Sequence, residues 1–406
     1  MAIKKQISFF NTFIVKGDAA DDANNWHLEE ARIKGDFNAD TVDLGVQAHI
    51  ADKNYRTLNR KNAMIYSGIY NARTGVNNTN QFSIAQEITK AVDINYGGIQ
   101  KLFSEDTNLV ILQEEKVHRA LIDKDAIYTA EGGSLTIEGA KVISSITPYA
   151  GNYGIGKHPE SFANYAGRKY FVDNINGAVM RLSRDGMTEI SNYGMRKFFR
   201  EELRNTDKIL GMWDGHDNNY VLSIQHNGNY KTLAFDENAQ GWPSTYSYKP
   251  EGGGSIESRF YTLKGSQIWL HYDNSSYSNF HGTQGDSTIT LIFNINPSST
   301  KRFATLNYEG ADSWSAESIT SDQDSAKDII KYAIANQDLI LPGFKKKDNK
   351  FFTELFNNST VEAGEILYGT EISGVKGNWL KLTLKNDSSY YKELFAASSN
   401  FNITTV

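Results

Sequence analysis

Between Lys208 and Tyr308 the chain repeats one pattern, a short run rich in Val, Ile, Leu, Tyr and Phe followed by a cluster of Gly, Asn and Asp. Runs this short cannot hold a stable helix, whose nucleation is costly. Their β-branched and aromatic side chains suit a pleated, half-buried surface. Strands are therefore predicted at Ile209–Trp213, Tyr220–Gln225, Tyr230–Phe235, Arg259–Leu263, Gln267–Tyr272, Thr288–Ile295 and Arg302–Tyr308. Asn227-Gly228, Lys264-Gly265 and Asp236–Gly241 separate them with residues that tolerate turn geometry. Close strand spacing of this kind leads to a sandwich, barrel or propeller. Groups of about 40 residues, the size of a propeller blade, can be drawn through the region, although no residue recurs at a fixed place. The expected fold is mainly β, propeller-like or multi-sheet, with a few short helices and a smaller β-rich C-terminal domain.

The flanks extend this reading. Ile7–Val15 and Val42–Ala51 are predicted strands, and the interruptions at Gln6, Asn11 and Thr12 favour a strand over a secretion signal. Phe82, Ala85, Ile88 and Ala91 have the spacing of a short amphipathic helix. Short strand runs follow at Leu109–Gln113, Val117–Ile122, Ala126–Ala130 and Leu135–Ile137. Arg168–Asp173 and Ala178–Leu182 flank Asn176-Gly177, a pair that favours a two-residue hairpin turn. Helices are expected at Met195–Leu203 and at Ala326–Ala335, the latter with Ser325 as cap. Strand patterns return from Phe344 onward. The domain expectation is an N-terminal β segment over 1–65, a main β domain over 66–335 and a C-terminal segment over 336–406, with the boundary near Ile334–Pro342.

Chemistry-bearing motifs are sparse. The chain has no cysteine, which removes thiolate ligands and Cys nucleophiles. None of the histidines pairs at metal-ligand spacing. His216, between Asp214 and Asp217, and Asp173-Asn174-Ile175-Asn176-Gly177 each resemble a cation loop. Asp and Gly build hairpin turns directly, and Arg184 stands where a calcium loop would close with Glu. Gly151–Gly156 is glycine-rich but lacks the order of a phosphate-binding fingerprint, and reads as a flexible surface loop. Glu114-Glu115 would point to opposite faces of a strand, and Glu201-Glu202 sits among Lys197, Arg200 and Arg204 as a solvated face. No catalytic, cofactor-binding or metal-binding residue is therefore assigned, and no cofactor is expected. The aromatics Trp242, Tyr246, Tyr248, Trp269, Tyr272 and Tyr277 suit core packing or a subunit contact better than sugar stacking.

The formal net charge is −6, with no basic stripe of the kind that displaces phosphate counterions. The lysine run Lys345-Lys346-Lys347 with Lys350 is expected at a solvated turn or charged edge. No stretch reaches the roughly 18 apolar residues of a membrane span, so no membrane insertion is expected.

Longer phrases carry a family resemblance. Tyr66-Ser67-Gly68-Ile69-Tyr70-Asn71 leads into Thr74-Gly75-Val76-Asn77-Asn78-Thr79-Asn80-Gln81-Phe82. Ser104-Glu105-Asp106-Thr107-Asn108-Leu109 is followed by the stretch from Ala120-Leu121-Ile122-Asp123 to Glu131-Gly132-Gly133. Pro159-Glu160-Ser161-Phe162-Ala163, Arg168-Lys169-Tyr170-Phe171, Phe235-Asp236-Glu237, Gly241-Trp242, Phe260-Tyr261-Thr262 and Ile268-Trp269 continue the order. Leu306-Asn307-Tyr308-Glu309-Gly310 and Glu393-Leu394-Phe395-Ala396 close it. In these phrases the chain resembles the tail stabilisation, or muzzle, proteins of crAss-like short-tailed bacteriophages, related in role to tail-hub proteins. The resemblance implies a non-enzymatic virion tail component, assembled in the host cytoplasm. It would form a cyclic homo-oligomer at the DNA exit channel, stabilising or closing the tail before genome ejection. Its implied partners are its own copies, other tail proteins and genomic DNA in transit. Against it stand a glycan-binding receptor module using the Trp242–Tyr277 aromatics and a tail-borne glycan hydrolase.

Overall fold

The computed structural model describes residues 12–16, 26–30, 32–34, 59–68, 70–71, 73–79, 81–83, 88–105, 108–128, 134–273, 276–322, 344–357 and 372–404. The fold is mainly β, in many antiparallel sheets. The chain divides into two compact units, Met1–Ser266 and Gln267–Val406.

In the N-terminal unit three four-stranded meanders follow one another. The first comprises β1 (Ile99–Glu105), β2 (Asn108–Gln113), β3 (Val117–Tyr128) and β4 (Ser134–Pro148). The second comprises β5 (Ala163–Tyr165), β6 (Arg168–Asp173), β7 (Ala178–Ser183) and β8 (Gly186–Glu189). A helix, α1 (Arg196–Glu202), precedes the third, β9 (Lys208–Asp214), β10 (Asn219–His226), β11 (Asn229–Asp236) and β12 (Gly241–Tyr246). A hairpin of β13 (Gly252–Ile256) and β14 (Arg259–Lys264) comes next. Strand β9 packs against both β5 and β13, so the first strands of successive sheets lie together, as in propeller blades.

The second meander is buried on both faces, and strand alternation sorts its side chains between two cores. Phe171, Ala178, Met180 and Leu182 face the first sheet, with Val110, Leu112, Val117 and Ile155. Tyr170, Val172 and Val179 face the third, with Ile209, Trp213, Tyr220, Leu222 and Phe235. Gly211 is the point of closest approach. The Tyr220 hydroxyl donates to the Ser161 carbonyl at 2.7 Å, and a Cβ on Gly211 would lie 1.9 Å from that same oxygen. Across this junction Glu237, in the β11–β12 turn, accepts from the Tyr170 hydroxyl and from Arg181, both at 2.6 Å.

The C-terminal unit packs two sheets around one core. One has the order β15 (Ser287–Phe293), β21 (Leu380–Asn386), β17 (Ser315–Ser321). The other contains β16 (Lys301–Gly310), flanked on one side by β19 (Lys350–Glu354) and β20 (Val375–Gly377). β22 (Leu394–Ile403) runs along the opposite side of β16, and β18 (Lys345–Lys347) extends the sheet beyond β19. Phe303, Leu306, Leu355 and Val375 of the second sheet meet Ile319, Leu380, Leu382 and Leu384 of the first. Strands before and after the boundary read near Ile334–Pro342 thus share sheets, while the boundary itself and the helix read at Ala326–Ala335 lie outside the described residues.

Where the chain is described, several expectations need correction. The region read as a helix around Phe82–Ala91 contains two short strands, Gln81–Ser83 and Thr89–Ala91, which pair with Arg32–Lys34 and Ala63–Ile65. Strand pairing there overrides a weak helical spacing. The turn at Asn176-Gly177 is not a two-residue hairpin, because Asp173 pairs with Ala178 and only Gly177 takes a positive φ. Asp173 holds a four-residue turn by accepting from the Asn176 backbone at 2.9 Å. Gly151–Gly156 is no surface loop at its C-terminal end. Gly154, Ile155 and Gly156 are buried, and a Cβ on Gly154 would lie 2.3 Å from the Glu114 carbonyl. Of the predicted strand Ile7–Val15, the part from Thr12 lies in a strand, Thr12–Lys16, paired with Trp26–Glu30; the rest of it and the predicted Val42–Ala51 lie outside the described residues.

Gly211→Ala should cost about 1–3 kcal/mol through forced overpacking and lower the melting temperature accordingly. Gly254→Ala, where a Cβ meets nothing within 4 Å, is the control expected to leave it nearly unchanged.

Candidate functional site

A concavity in the N-terminal unit lies where β5, β9 and β13 come together. It is a cleft of about 380 Å³ lined by Tyr165, Trp213, Gly253, Gly254, Asn164 and Ser258 among others. The glycines leave its β13 wall low. Gly253 is imposed by packing, since a Cβ there would lie 2.6 Å from the Met212 sulfur. Tyr165 stacks on Trp213 at 4.4 Å and 11°, and Tyr170 continues the stack 5.5 Å from Trp213. The result is an aromatic slab with one exposed end, Tyr165. Ser255 fixes the wall by donating to the Trp213 carbonyl at 2.8 Å and accepting from the Gly215 N–H at 2.7 Å. No carboxylate, histidine, lysine or arginine lines this cleft; its chemistry is stacking and neutral hydrogen bonding.

The loops singled out as cation-like serve the backbone. Asp173 is fully buried, and its carboxylate accepts from the Asn176 amide side chain at 2.8 Å and from the Gly154 N–H at 3.1 Å. Burial raises its pKa, against the lowering effect of those hydrogen bonds. Asp214 caps its turn by accepting from the His216 N–H at 2.9 Å, while the His216 ring lies 2.8 Å from Asp217. Glu114 and Glu115 stand in the turn between β2 and β3 instead of in a strand. Glu114 accepts from the Gly98 N–H and the Gln100 amide. Glu201 faces Lys197 at 3.8 Å and Glu202 faces Lys231 at 2.5 Å. The structure brings none of these carboxylates together as a dyad. Among the described residues no group of three His, Asp or Glu converges on a metal position.

The aromatic stretch separates by environment. Trp242 is half-buried against Phe199 and Phe235 and donates to the Ile190 carbonyl at 3.1 Å. Tyr248 is buried. In the C-terminal unit Trp269 packs 5.6 Å from His281, which in turn lies 6.0 Å from His271. Burial, reinforced by the neighbouring His281, lowers the pKa of His271 to about 4.

Sequence patterns alone missed a group of exposed aromatics. Tyr390, Tyr391 and Phe395 are more than half exposed, and Tyr277 lies 5.3 Å from Tyr391. Tyr390-Tyr391 sits in a polar connection with no strand alternation, so the only available signal was aromatic side chains in a segment too short to bury them. Exposed tyrosine and phenylalanine in one place are typical of protein contact surfaces. The lysine run forms the edge strand β18, with Lys346 over the Phe351 ring at 5.6 Å and Lys350 paired to Glu309. No helix among the described residues is long and apolar enough to cross a membrane.

A family model matches this unit: residues 275–358 correspond to the Crassvirus muzzle protein C-terminal domain. On that match the chain is a structural component of a phage tail. In particular, it resembles the muzzle proteins of crAss-like phages. None of the curated proteins matches the chain.

Two predictions follow from this geometry. Residues 275–358 contain β15 to β19, but β21, the central strand between β15 and β17, lies beyond them. A chain ending at residue 358 should therefore lose the C-terminal core, seen as rapid proteolysis of that unit and loss of β signal in circular dichroism. For His271 the folded pKa lies below the unfolded value, so the unfolded chain binds the extra proton. Stability is complete above about pH 6.5 and falls toward pH 4, by at most about 1.4 kcal/mol per pH unit. Melts of His271→Gln should show a flatter acid limb than the parent, and equal slopes would overturn the assignment.

Proposed function

We propose that this chain forms a ring of identical copies at the DNA exit channel of a phage tail, stabilising or closing it until the genome is ejected. The observation that carries the reading is the match of residues 275–358 to a muzzle-protein domain. The surfaces are consistent with a scaffold. Exposed aromatics gather on the C-terminal unit, and the conspicuous carboxylates cap turns or pair with lysines. We place the protein in the virion tail after assembly in the host cytoplasm, with its own copies and other tail proteins as partners, and with DNA passing it without lasting contact. A net charge of −6 suits such passage.

Purified full-length protein should give ring-shaped oligomers in micrographs and negligible DNA retention in a gel shift at physiological salt. A strictly monomeric chain inside intact virions, or tight salt-sensitive DNA binding, would refute the reading.

One observation favours a second reading, glycan binding: the cleft with Tyr165 at the open end of its aromatic slab. Binding of host surface glycan that Tyr165→Ala abolishes, with rings intact, would support it.

A further inference from the structure

We propose that two long uncharged edge strands of the C-terminal unit, β15 and β22, pair with each other between neighbouring copies of this chain. The proposal rests on the ring reading above and names the contact that would build it.

Sheet edges expose unpaired N–H and C=O groups, and proteins normally blunt them with charge, proline or a bulge. In this unit β17 carries Glu317 and a register break between Ala316 and Ser318. β18 consists of three lysines. β15, Ser-Thr-Ile-Thr-Leu-Ile-Phe, has no charge and no proline, and pairs with β21 in unbroken register from Ser287 to Phe293. β22, Leu-Phe-Ala-Ala-Ser-Ser-Asn-Phe-Asn-Ile, is also uncharged; it pairs with β16 on one side only, in unbroken register from Ala396 to Asn400 between breaks at Phe395 and near Phe401. Among the described residues no strand covers the outer side of either. Both also expose apolar side chains, Ile292 on β15 and Phe395 on β22, at 64% and 72%. An edge of this kind takes another β-strand.

A second copy supplies that strand. β15 and β22 belong to different sheets, so every copy carries one of each, and a head-to-tail contact uses two unlike surfaces. Charge selects among the pairings. The strand behind β15 presents Lys381 and Lys385, opposite Ile292 and Thr288. Behind β22 stand Glu309 and, one strand further, Glu354, with Arg302 confined to the Ile403 end. Lys385 already pairs with Asp286, and Glu309 with Lys350. Among the described residues the charges left over include Lys381 and, one strand further, Glu317 behind β15, and Arg302 and, one strand further, Glu354 behind β22. A β15–β22 junction meets charges of both signs behind β22, whereas β15 against a second β15 sets Lys381 and Lys385 against their own copies.

The absence of cysteine makes disulfide trapping clean. Thr290, exposed on β15, is changed to Cys and combined in turn with Ser398→Cys, Asn400→Cys and Asn402→Cys on β22 to scan register, with folding checked by circular dichroism. After oxidation of the full-length protein, at least one pair should give a ladder of covalent multimers on a non-reducing gel, while Thr290→Cys alone stays monomeric. Dimers from Thr290→Cys alone would overturn the proposal in favour of β15–β15 pairing. No ladder from any pair, with rings still visible in micrographs, would overturn the strand pairing and leave the ring. A ladder without closed rings would uphold the pairing and overturn the ring, and absence of both would overturn both.

Discussion

The N-terminal unit depends on a single close approach, between the Ser161 carbonyl and the backbone of β9 at Gly211. Ser161 makes three connections there. Its hydroxyl donates to the His158 carbonyl and accepts from the Val172 N–H, and its carbonyl accepts from Tyr220. One buried residue thereby ties the segment leading into the second sheet to β6 and to β10 of the third. Only glycine at position 211 lets the backbones come near enough. Once they do, Tyr170 stacks on Tyr220 at 5.0 Å and on Trp213. Burial holds both phenols far above their usual pKa, so they remain neutral donors at any physiological pH. The cleft beside Tyr165 is a by-product of this stack, whose last ring is left exposed among the described residues.

The C-terminal unit solves a related problem with a charge. Lys301 is fully buried, and its ammonium donates to three backbone carbonyls, Asn296 at 2.9 Å, Ser299 at 2.8 Å and Asn378 at 2.5 Å. Asn378 lies between β20 and β21, where the chain passes from one sheet to the other. A buried ammonium is costly unless all its donors are used, and here they are. The lysine satisfies carbonyls at the turn before β16 and at the crossover, two places where sheet hydrogen bonding ends. Chain segments far apart in sequence are thus fixed to each other without a carboxylate partner.

The strands from Lys208 onward were legible because short apolar runs and turn residues act locally. Asn227-Gly228 takes positive φ at both positions, as its composition demands. Helix α1 was legible from Phe198, Phe199 and Leu203. Non-local facts were not legible. Nothing in the residues of β15 says that its partner β21 lies some ninety positions later, as in the 93-residue separation of the Thr290–Thr383 hydroxyl contact. The glycines of Gly151–Gly156 read as freedom, whereas Gly154 is there because the Glu114 carbonyl occupies the space a side chain would need. The aromatic run Trp242–Tyr277 read as one feature. Folding divides it into half-buried tryptophans, a buried tyrosine at Tyr248 and exposed rings at Tyr272 and Tyr277.

For a scaffold, function is written in what remains unsatisfied at the surface more than in any pocket. The outer strands of the N-terminal unit are guarded: β12 carries Pro243, β8 is short and ends in Glu189, and β1 carries Lys101 and Glu105. Their sheets are self-contained, and their cores lie between neighbouring meanders of the same chain. The C-terminal unit guards some edges and leaves others neutral, and Tyr390 and Tyr391 are exposed among the described residues. A chain that needed only to stay soluble would gain by placing a lysine on every long edge, as it does on β18. Selective protection makes sense where the unguarded strands have a partner.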